Sequence, residues 1–207
     1  MKNLLLSAGV SALLALAPQA AFAGKADDTF NIAFTGEPTT MDTYKETTRE
    51  GNILARLLFD CLIEKDTVTG EFKPSLASSF KVTDDTTLDF VLRTDVKFHD
   101  GTVMTADDVV YTMNLVSSKD YGARYQIVVD WIEKAEKTGE NSVRIKMKRP
   151  YPLALEMLAG NLPVYPKAYY EKVGPEGMAT KPVGAGPYRL VEVTPGSRYA
   201  FERFDDY

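Results

Sequence analysis

Residues 72–111 constrain the fold more than any other stretch, because strand-like alternation gives way there to helical spacing. Apolar residues alternate on both sides of the polar turn 83–86, and this pattern predicts a β-hairpin with one buried face. The alternating residues are Phe80, Val82, Leu88, Phe90 and Leu92. A turn and a short helix are expected ahead of this hairpin.

A tight loop and a capped helix are predicted after the hairpin. The dipeptide Asp100-Gly101 is a turn signal. Thr105 and Asp108 have the spacing of a capping box, in which two side chains satisfy the free backbone groups of a helix start. Apolar residues then recur at helical spacing, at Val109, Val110, Met113 and Val116. Together with the hairpin, this helix indicates an α+β unit.

The order of these pieces resembles a known family. The segments PSLASSF (74–80) and LDFVLRTDVKFHDGTVMTADDVVY (88–111) are similar to the signature of the extracellular solute-binding proteins of peptide and nickel ABC importers, called family 5. PVGAGPY (182–188) resembles the family motif PVGTGPY, with Ala185 in place of the common Thr. GEPTTMD (36–42) resembles the first strand and the loop after it, although Thr43 replaces the proline usual in the family.

The resemblance implies the N-terminal part of a two-lobed periplasmic binding protein, type II-like and of the peptide-binding branch, with mixed sheets and packed helices. Residues 24–54 and 180–207 are expected to form a partial first domain, and residues 55–179 an inserted α+β domain. The C-terminal lobe of the family is expected to be absent from this sequence. Because a two-lobed clamp needs both lobes, the chain alone is not expected to bind ligand tightly.

Residues 1–23 have the pattern of a secretory signal peptide. Lys2 is followed by a run of mainly Leu and Ala at 4–17, and Ala21-Phe22-Ala23 forms a cleavage site of small residues. The apolar run is too short for a membrane anchor. We therefore predict cleavage before Gly24 and a soluble protein of the periplasm.

Composition excludes some classes of protein. The formal net charge is −5 and no basic stretch is present, so nucleic acid is not an expected partner. Cys61 is the only cysteine, so no intramolecular disulfide can form. Its position on the apolar face of a predicted helix favours a buried, inert thiol.

The first group of candidate ligand residues lies where that helix begins. Thr47 and Glu50 have capping-box spacing, and an apolar face continues to Leu62. A helix N-terminus presents free amides that can hold a carboxylate, and the resemblance places the loop entering this helix at the border of the ligand cleft. We therefore predict ligand contacts from Thr47, Thr48 and Arg49. The alternative is that Thr47 only caps the helix and Arg49 is solvated.

The second group is Gly184, Ala185 and Gly186. Two glycines beside a proline allow the backbone to approach another surface closely. The resemblance places this loop where the chain crosses back to the first domain, near the cleft. The alternative is a plain structural crossover with no ligand contact.

Neither catalysis nor a metal site is expected. His99 is the only histidine, and a histidine base requires a nucleophile or carboxylate held beside it. No such group and no metal-ligand spacing is recognisable, so His99 is expected to stabilise its loop. No cofactor is predicted.

The remaining pattern predicts a regular series of elements. We expect a first strand at 29–34, a hairpin of the later part of 125–137 with 143–147, a hairpin of 188–193 with 199–204, and short helices at 152–159 and 168–173. The second of these helices is expected to end at Gly174-Pro175.

Two functional hypotheses follow. The first is a periplasmic substrate-binding component of an ABC importer, a monomer that captures peptides or a related small solute and delivers it to the inner-membrane permease by lobe closure. The second is a secreted hydrolase, which the lack of a nucleophile–base constellation disfavours. A non-functional fragment, unable to bind ligand alone, is a further alternative to the first.

Overall fold

The computed structural model describes residues 28–207, and the predicted signal peptide lies outside this range. The chain divides into two units, one ending at Phe34 and one spanning 35–207. Within the first unit, residues 29–34 are not assigned to a strand, and Phe30 and Ile32 are exposed. The prediction of a first strand there was wrong, because alternation becomes a strand only when a partner completes the backbone ladder.

A four-stranded antiparallel sheet forms the centre of the second unit. Its strands are β3 (Ala77–Asp84), β4 (Thr87–Leu92), β5 (Ile132–Gly139) and β6 (Ser142–Met147), in the order β3-β4-β6-β5. Phe90 lies opposite Phe80 on one side and Val143 on the other. Leu88, Phe90, Val143 and Ile145 are at most 2% exposed, which confirms the predicted buried face on β4 and β6. On β3 the prediction was wrong in part, because Phe80 is only half-buried and Val82 is 53% exposed.

Helix α2 (Ala106–Ser117) covers this buried face. Met113 and Val116 are fully buried. The Asn114 side chain donates to Ala135 O (2.9 Å) and accepts from Ala135 N (2.8 Å), so it fastens the helix to edge strand β5. This contact also occupies backbone groups that an edge strand would otherwise expose.

Asp108 links the starts of two helices. Its Oδ2 accepts from the backbone N and the hydroxyl of Thr105, both at 2.8 Å, as the capping-box spacing predicted. Its Oδ1 accepts at 2.8 Å from the backbone N of Lys167, the first residue of α5 (Lys167–Thr180). One carboxylate therefore holds the N-termini of α2 and α5 together.

Shorter elements complete the unit. Helix α1 (Arg49–Leu58) precedes the hairpin of β1 (Ile63–Lys65) and β2 (Phe72–Pro74). Helices α3 (Gln126–Val129) and α4 (Ala154–Leu158) lie on either side of the β5–β6 hairpin in sequence. A last hairpin joins β7 (Tyr188–Thr194) to β8 (Arg198–Arg203), with Gly196 in its turn at φ 71°.

Two predictions around α1 and β2 were wrong. No short helix precedes the β3–β4 hairpin, because β2 pairs there with β1 and the Ala77 backbone N donates to Leu62 O at 2.9 Å. Helix α1 ends at Leu58, so Cys61 lies after the helix and forms an isolated bridge with Pro163. Cys61 is half-buried rather than fully buried. Its surroundings nevertheless raise the pKa of its thiol to about 12 through loss of solvation, which keeps it in the unreactive thiol form.

Helix α5 agrees with its prediction in part. Its first helical stretch ends at Gly174-Pro175 as predicted, and a second stretch that was not predicted continues to Thr180 after the kink. Gly174 takes φ 63° and ψ −170°, and Pro175 begins the next turn. Proline suits the first turn of a helix, since its missing N–H has no intrahelical partner there. Among residues 28–207, no helix combines the length and the apolar character needed to cross a bilayer.

We expect Asp108→Ala to lower the free energy of unfolding by about 2 kcal/mol, because it removes one helix cap and leaves the start of a second helix without its acceptor. Denaturant titration measures this change. Asp107→Ala is the matched control, since Asp107 makes only an exposed ion pair with Lys137 and its loss should cost less than about 0.5 kcal/mol. Equal losses in the two variants would contradict the assignment.

Candidate functional site

The N-terminus of α1 is already occupied by a carboxylate of the chain itself. Glu46 Oε1 accepts from the backbone N of Thr47 and of Thr48, each at 2.5 Å, and Oε2 accepts from Thr40 N at 3.0 Å. Burial alone would raise the pKa of Glu46, but these backbone donors outweigh it and lower the pKa. Glu46 therefore neutralises the positive end of the helix with a charge that persists at neutral pH.

The helix cap is one residue later than its sequence spacing indicated. Thr48, not Thr47, is the N-cap, and its hydroxyl accepts from Gly51 N at 3.0 Å. Arg49 pairs with Glu50 at 2.9 Å while the Arg49 side chain stays 70% exposed. Thr47 and Thr48 are half-buried. Of the first predicted group, Arg49 thus offers a charged side chain to solvent and the two threonines offer partly exposed backbone and hydroxyl groups.

The loop Gly184–Gly186 lies against the other end of α1. Gly186 N donates to Leu58 O at 2.9 Å. A Cβ atom at Gly184 would lie 2.1 Å from Leu58 O, and one at Gly186 would lie 2.5 Å from Leu58 C. Ala185 is 3% exposed. The close backbone approach that the two glycines predicted is therefore present, and its surface is the C-terminus of α1.

His99 fixes the same loop from its other side. Its Nε2 lies 2.9 Å from Gly186 O, and Gly184 N donates to its Nδ1 at 3.3 Å. This pattern requires the neutral tautomer with the proton on Nε2. Burial lowers the pKa of His99, against the Gly186 hydrogen bond that raises it. Both ring nitrogens are thus engaged with backbone, which agrees with the predicted loop-stabilising role.

The two predicted groups do not meet in one site. Thr47, Thr48 and Arg49 lie at the start of α1, whereas Gly184–Gly186 lie at its end. A helix of 10 residues is about 15 Å long at 1.5 Å per residue. The groups share a supporting element rather than a common ligand position.

A cavity of about 470 Å³ opens along one face of α1. The helix supplies Asn52, Ala55 and Arg56, and Phe59 follows directly after it. Segments 123–129 and 159–163 provide most of the opposite wall. None of the six predicted residues lines this cavity. Burial raises the pKa of Asp60, which also lines it, to about 6, although a hydrogen bond from Tyr207 opposes the shift. The spacing 52, 55, 56, 59 does not mark a site in the sequence, because it mixes polar Asn52 and Arg56 with apolar Ala55 and Phe59.

A buried carboxylate surrounded by tyrosines was not predicted from the sequence. Asp42 is fully buried, and its Oδ1 accepts from the hydroxyl of Tyr165 at 2.8 Å and from Tyr44 N at 3.2 Å. The hydroxyls of Tyr121 and Tyr170 lie within 3.3 Å of the same carboxylate. Burial raises the pKa of Asp42 against these hydrogen bonds. We call Asp42, Tyr121, Tyr165 and Tyr170 the Asp42 cluster.

The fold and its relatives define the class of protein. The family model described as bacterial extracellular solute-binding proteins, family 5 Middle, matches residues 71–207. Solved periplasmic binding proteins of the peptide-binding type share the fold. The chain belongs to family 5 of the bacterial extracellular solute-binding proteins, as the resemblance implied.

Two relatives illustrate how similar the chain is to other proteins of this kind. It is 33% identical over 184 residues to the oligopeptide-binding protein AppA of Bacillus subtilis, covering 83% of this chain and 33% of AppA. The AppA structure with a nonapeptide matches with a TM-score of 0.74 at 30% identity, over 83% of this chain and 35% of AppA. The PBP AgaA of A. tumefaciens R10, bound to agropinic acid, matches with a TM-score of 0.75 at 30% identity, over 83% and 35%. The chain spans about a third of the length of these relatives.

The first prediction from this site concerns His99. Because it is the only histidine, its ring resonances need no mutant for assignment. We expect an NMR titration midpoint below 6.5 and the Nε2-protonated tautomer at pH 7. Since the unfolded chain binds the proton more readily, the free energy of unfolding should fall as the pH drops from 6.5 to the folded pKa. A midpoint above 6.5 would contradict the buried, backbone-bonded ring.

The second prediction tests the close approach at Gly184. Gly184→Ala should lower the free energy of unfolding by about 3 kcal/mol, because the new methyl group overlaps both the backbone carbonyl of Leu58 and the buried ring of Phe59. Gly139→Ala is the control, since its added Cβ would make an ordinary 3.5 Å contact with Ser142. Thermal and denaturant unfolding measure both variants. A tolerated alanine at Gly184 would show that the loop does not press on Leu58.

Proposed function

We propose that this chain is part of the periplasmic substrate-binding component of an ABC importer, which captures peptides or a related small solute and delivers it to the permease. The observation that carries the proposal is the match to an oligopeptide-binding relative over 83% of the chain, in both sequence and fold. The chain acts by binding and not by turnover. Its only histidine has both ring nitrogens on backbone partners, which disfavours a hydrolase that would use it as a base.

The start of α1, at Thr47, Thr48 and Arg49, forms part of one wall of the ligand site in this proposal. Because Glu46 already holds the amides of Thr47 and Thr48, a ligand carboxylate does not bind those amides. The wall instead offers the exposed Arg49 guanidinium and the hydroxyls of two threonines. Such groups suit the polar main chain of a peptide, whose carbonyls accept from charged donors.

The adjoining cavity supplies room for a side chain of the ligand. Its volume of about 470 Å³ falls within the range of small-molecule sites. Arg56 lies in its wall and has no ion pair within residues 28–207.

The proposal also covers the domain organisation, with residues 24–54 and 180–207 as a partial first domain and residues 55–179 as an inserted domain. It further includes cleavage of the signal peptide after Ala23 and a monomeric protein.

The test is a titration of the 15N-labelled chain with three probes in separate arms: a nonapeptide pool, agropinic acid and nickel–histidine. These are the kinds of ligand seen with relatives of similar fold. We expect saturable shifts at the amides of Thr47, Thr48 and Arg49 with the peptides, at a Kd of about 1 mM or below, which is −4.1 kcal/mol. Shifts with another probe alone would reassign the ligand class.

A matched pair of variants sharpens this titration. Arg49→Gln should weaken peptide binding about tenfold, because a loss of 1.4 kcal/mol accompanies removal of one charged donor. Arg149→Gln removes the same charge from an exposed position outside the site and should bind as the wild type does. If none of the three probes moves any of the three amides, the proposed function is rejected for this chain.

A further inference from the structure

A row of contacts joins the loop 118–125 to the segment 42–47 that leads into α1. In order along both segments, Tyr121 OH bonds to Asp42, Arg124 N donates to Tyr44 O at 2.9 Å, and Tyr125 OH donates to Thr47 O at 3.1 Å. The ammonium group of Lys45 donates to the backbone carbonyls of Tyr121 and Gly122 and lies 4.1 Å from the centre of the Tyr121 ring. The loop and the segment are therefore connected along their whole shared length.

Asp42 is the buried end of this row. Among the charged side chains in this row of contacts, only that of Asp42 is completely buried. Tyr165, also fully buried, donates to Asp42 at 2.8 Å and accepts from Thr43 N at 3.0 Å. Tyr170 OH lies 3.3 Å from the Asp42 carboxylate and 3.2 Å from Tyr121 OH. Tyrosines from two distant parts of the chain thus converge on one acceptor.

We propose that Asp42 is a positioning residue for the ligand-facing start of α1: through Tyr121 and Tyr165 it sets the relative position of loop 118–125 and segment 42–47, and hence of Thr47. The inference rests on the proposed function for the role of Thr47. Its geometric part, the coupling of Asp42 to the loop, stands without a ligand.

The structure explains why one carboxylate can do this. A buried carboxylate must be hydrogen-bonded, since an unpartnered one is strongly disfavoured. Asp42 collects one backbone and three side-chain donors, so its removal leaves several buried hydroxyls without an acceptor at once. The tyrosine rings also stack, with 5.3 Å between the centres of Tyr165 and Tyr170, so they cannot move independently to new partners.

The test is hydrogen exchange of the wild type and its variants, without ligand. Asp42→Ala should raise the exchange rate of the Arg124 amide about tenfold relative to the amides of central strand β6. Asp42→Asn should restore most of the protection, because the amide oxygen accepts from Tyr165 and its NH₂ group donates to the hydroxyl of Tyr121 or Tyr170. Asp120→Asn, which removes an exposed charge from the same loop, is the control and should leave exchange unchanged.

Further results would support or overturn the positioning role of Asp42. If Asp42→Ala does not fold, Tyr121→Phe removes only one hydroxyl of the cluster and should raise exchange at Arg124 while leaving β6 unchanged. Equal acceleration at Arg124 and β6, or an unchanged Arg124 rate in both variants, would overturn the positioning role. A wild-type chain that binds none of the probes would reject the proposed function instead, and the exchange comparison would still stand.

Discussion

The close contact between the loop Gly184–Gly186 and the C-terminus of α1 is the constraint on which much of this unit depends. Gly186 N takes the Leu58 carbonyl, so α1 stops there and the next residues turn into the β1 strand. The same loop leads directly into β7, and its backbone is hydrogen-bonded to both ring nitrogens of His99. The C-terminus of α1, the β7–β8 hairpin and the loop 97–103, which carries His99, therefore meet at this contact. At Gly184 and Gly186 it leaves no room for a side chain larger than hydrogen.

The opposite end of α1 is governed by charge rather than by close packing. Glu46 accepts from Thr48 N and Thr48 accepts from Gly51 N, so two of the backbone donors that a helix start leaves open are satisfied by side chains. Glu46 also passes directly over Gly51, where a Cβ atom would lie 2.3 Å from its Cγ. The chain therefore provides its own anion beside the positive end of α1, and the neighbouring Arg49 side chain stays 70% exposed.

Structural features that depend on residues close in sequence were predictable, whereas features that depend on distant residues were not. The hairpins around residues 83–86 and 195–196 and the Thr105–Asp108 cap depend on residues close in sequence, and all are confirmed. The C-terminal boundary of α1 depends on a distant contact with Gly186, so spacing misplaced it. The helical stretch of α5 after Gly174 was not predicted. The Asp42 cluster joins residues 79, 123 and 128 positions apart, and no periodicity marks such a group. The family resemblance carried the fold and class, while the ligand residues inferred from it remain a proposal.

The two ends of α1 give the helix different mechanical roles. Its C-terminus is fixed by backbone contacts that tolerate no displacement without steric overlap. Its N-terminus is held through side chains, namely Glu46, the Asp42 cluster and the exposed hydroxyl of Tyr125. A packed backbone has a single arrangement, so the C-terminal contact alone fixes where α1 ends. The start of the helix depends on buried acceptors instead, because loss of Glu46 or Asp42 would leave several donors without a partner at once.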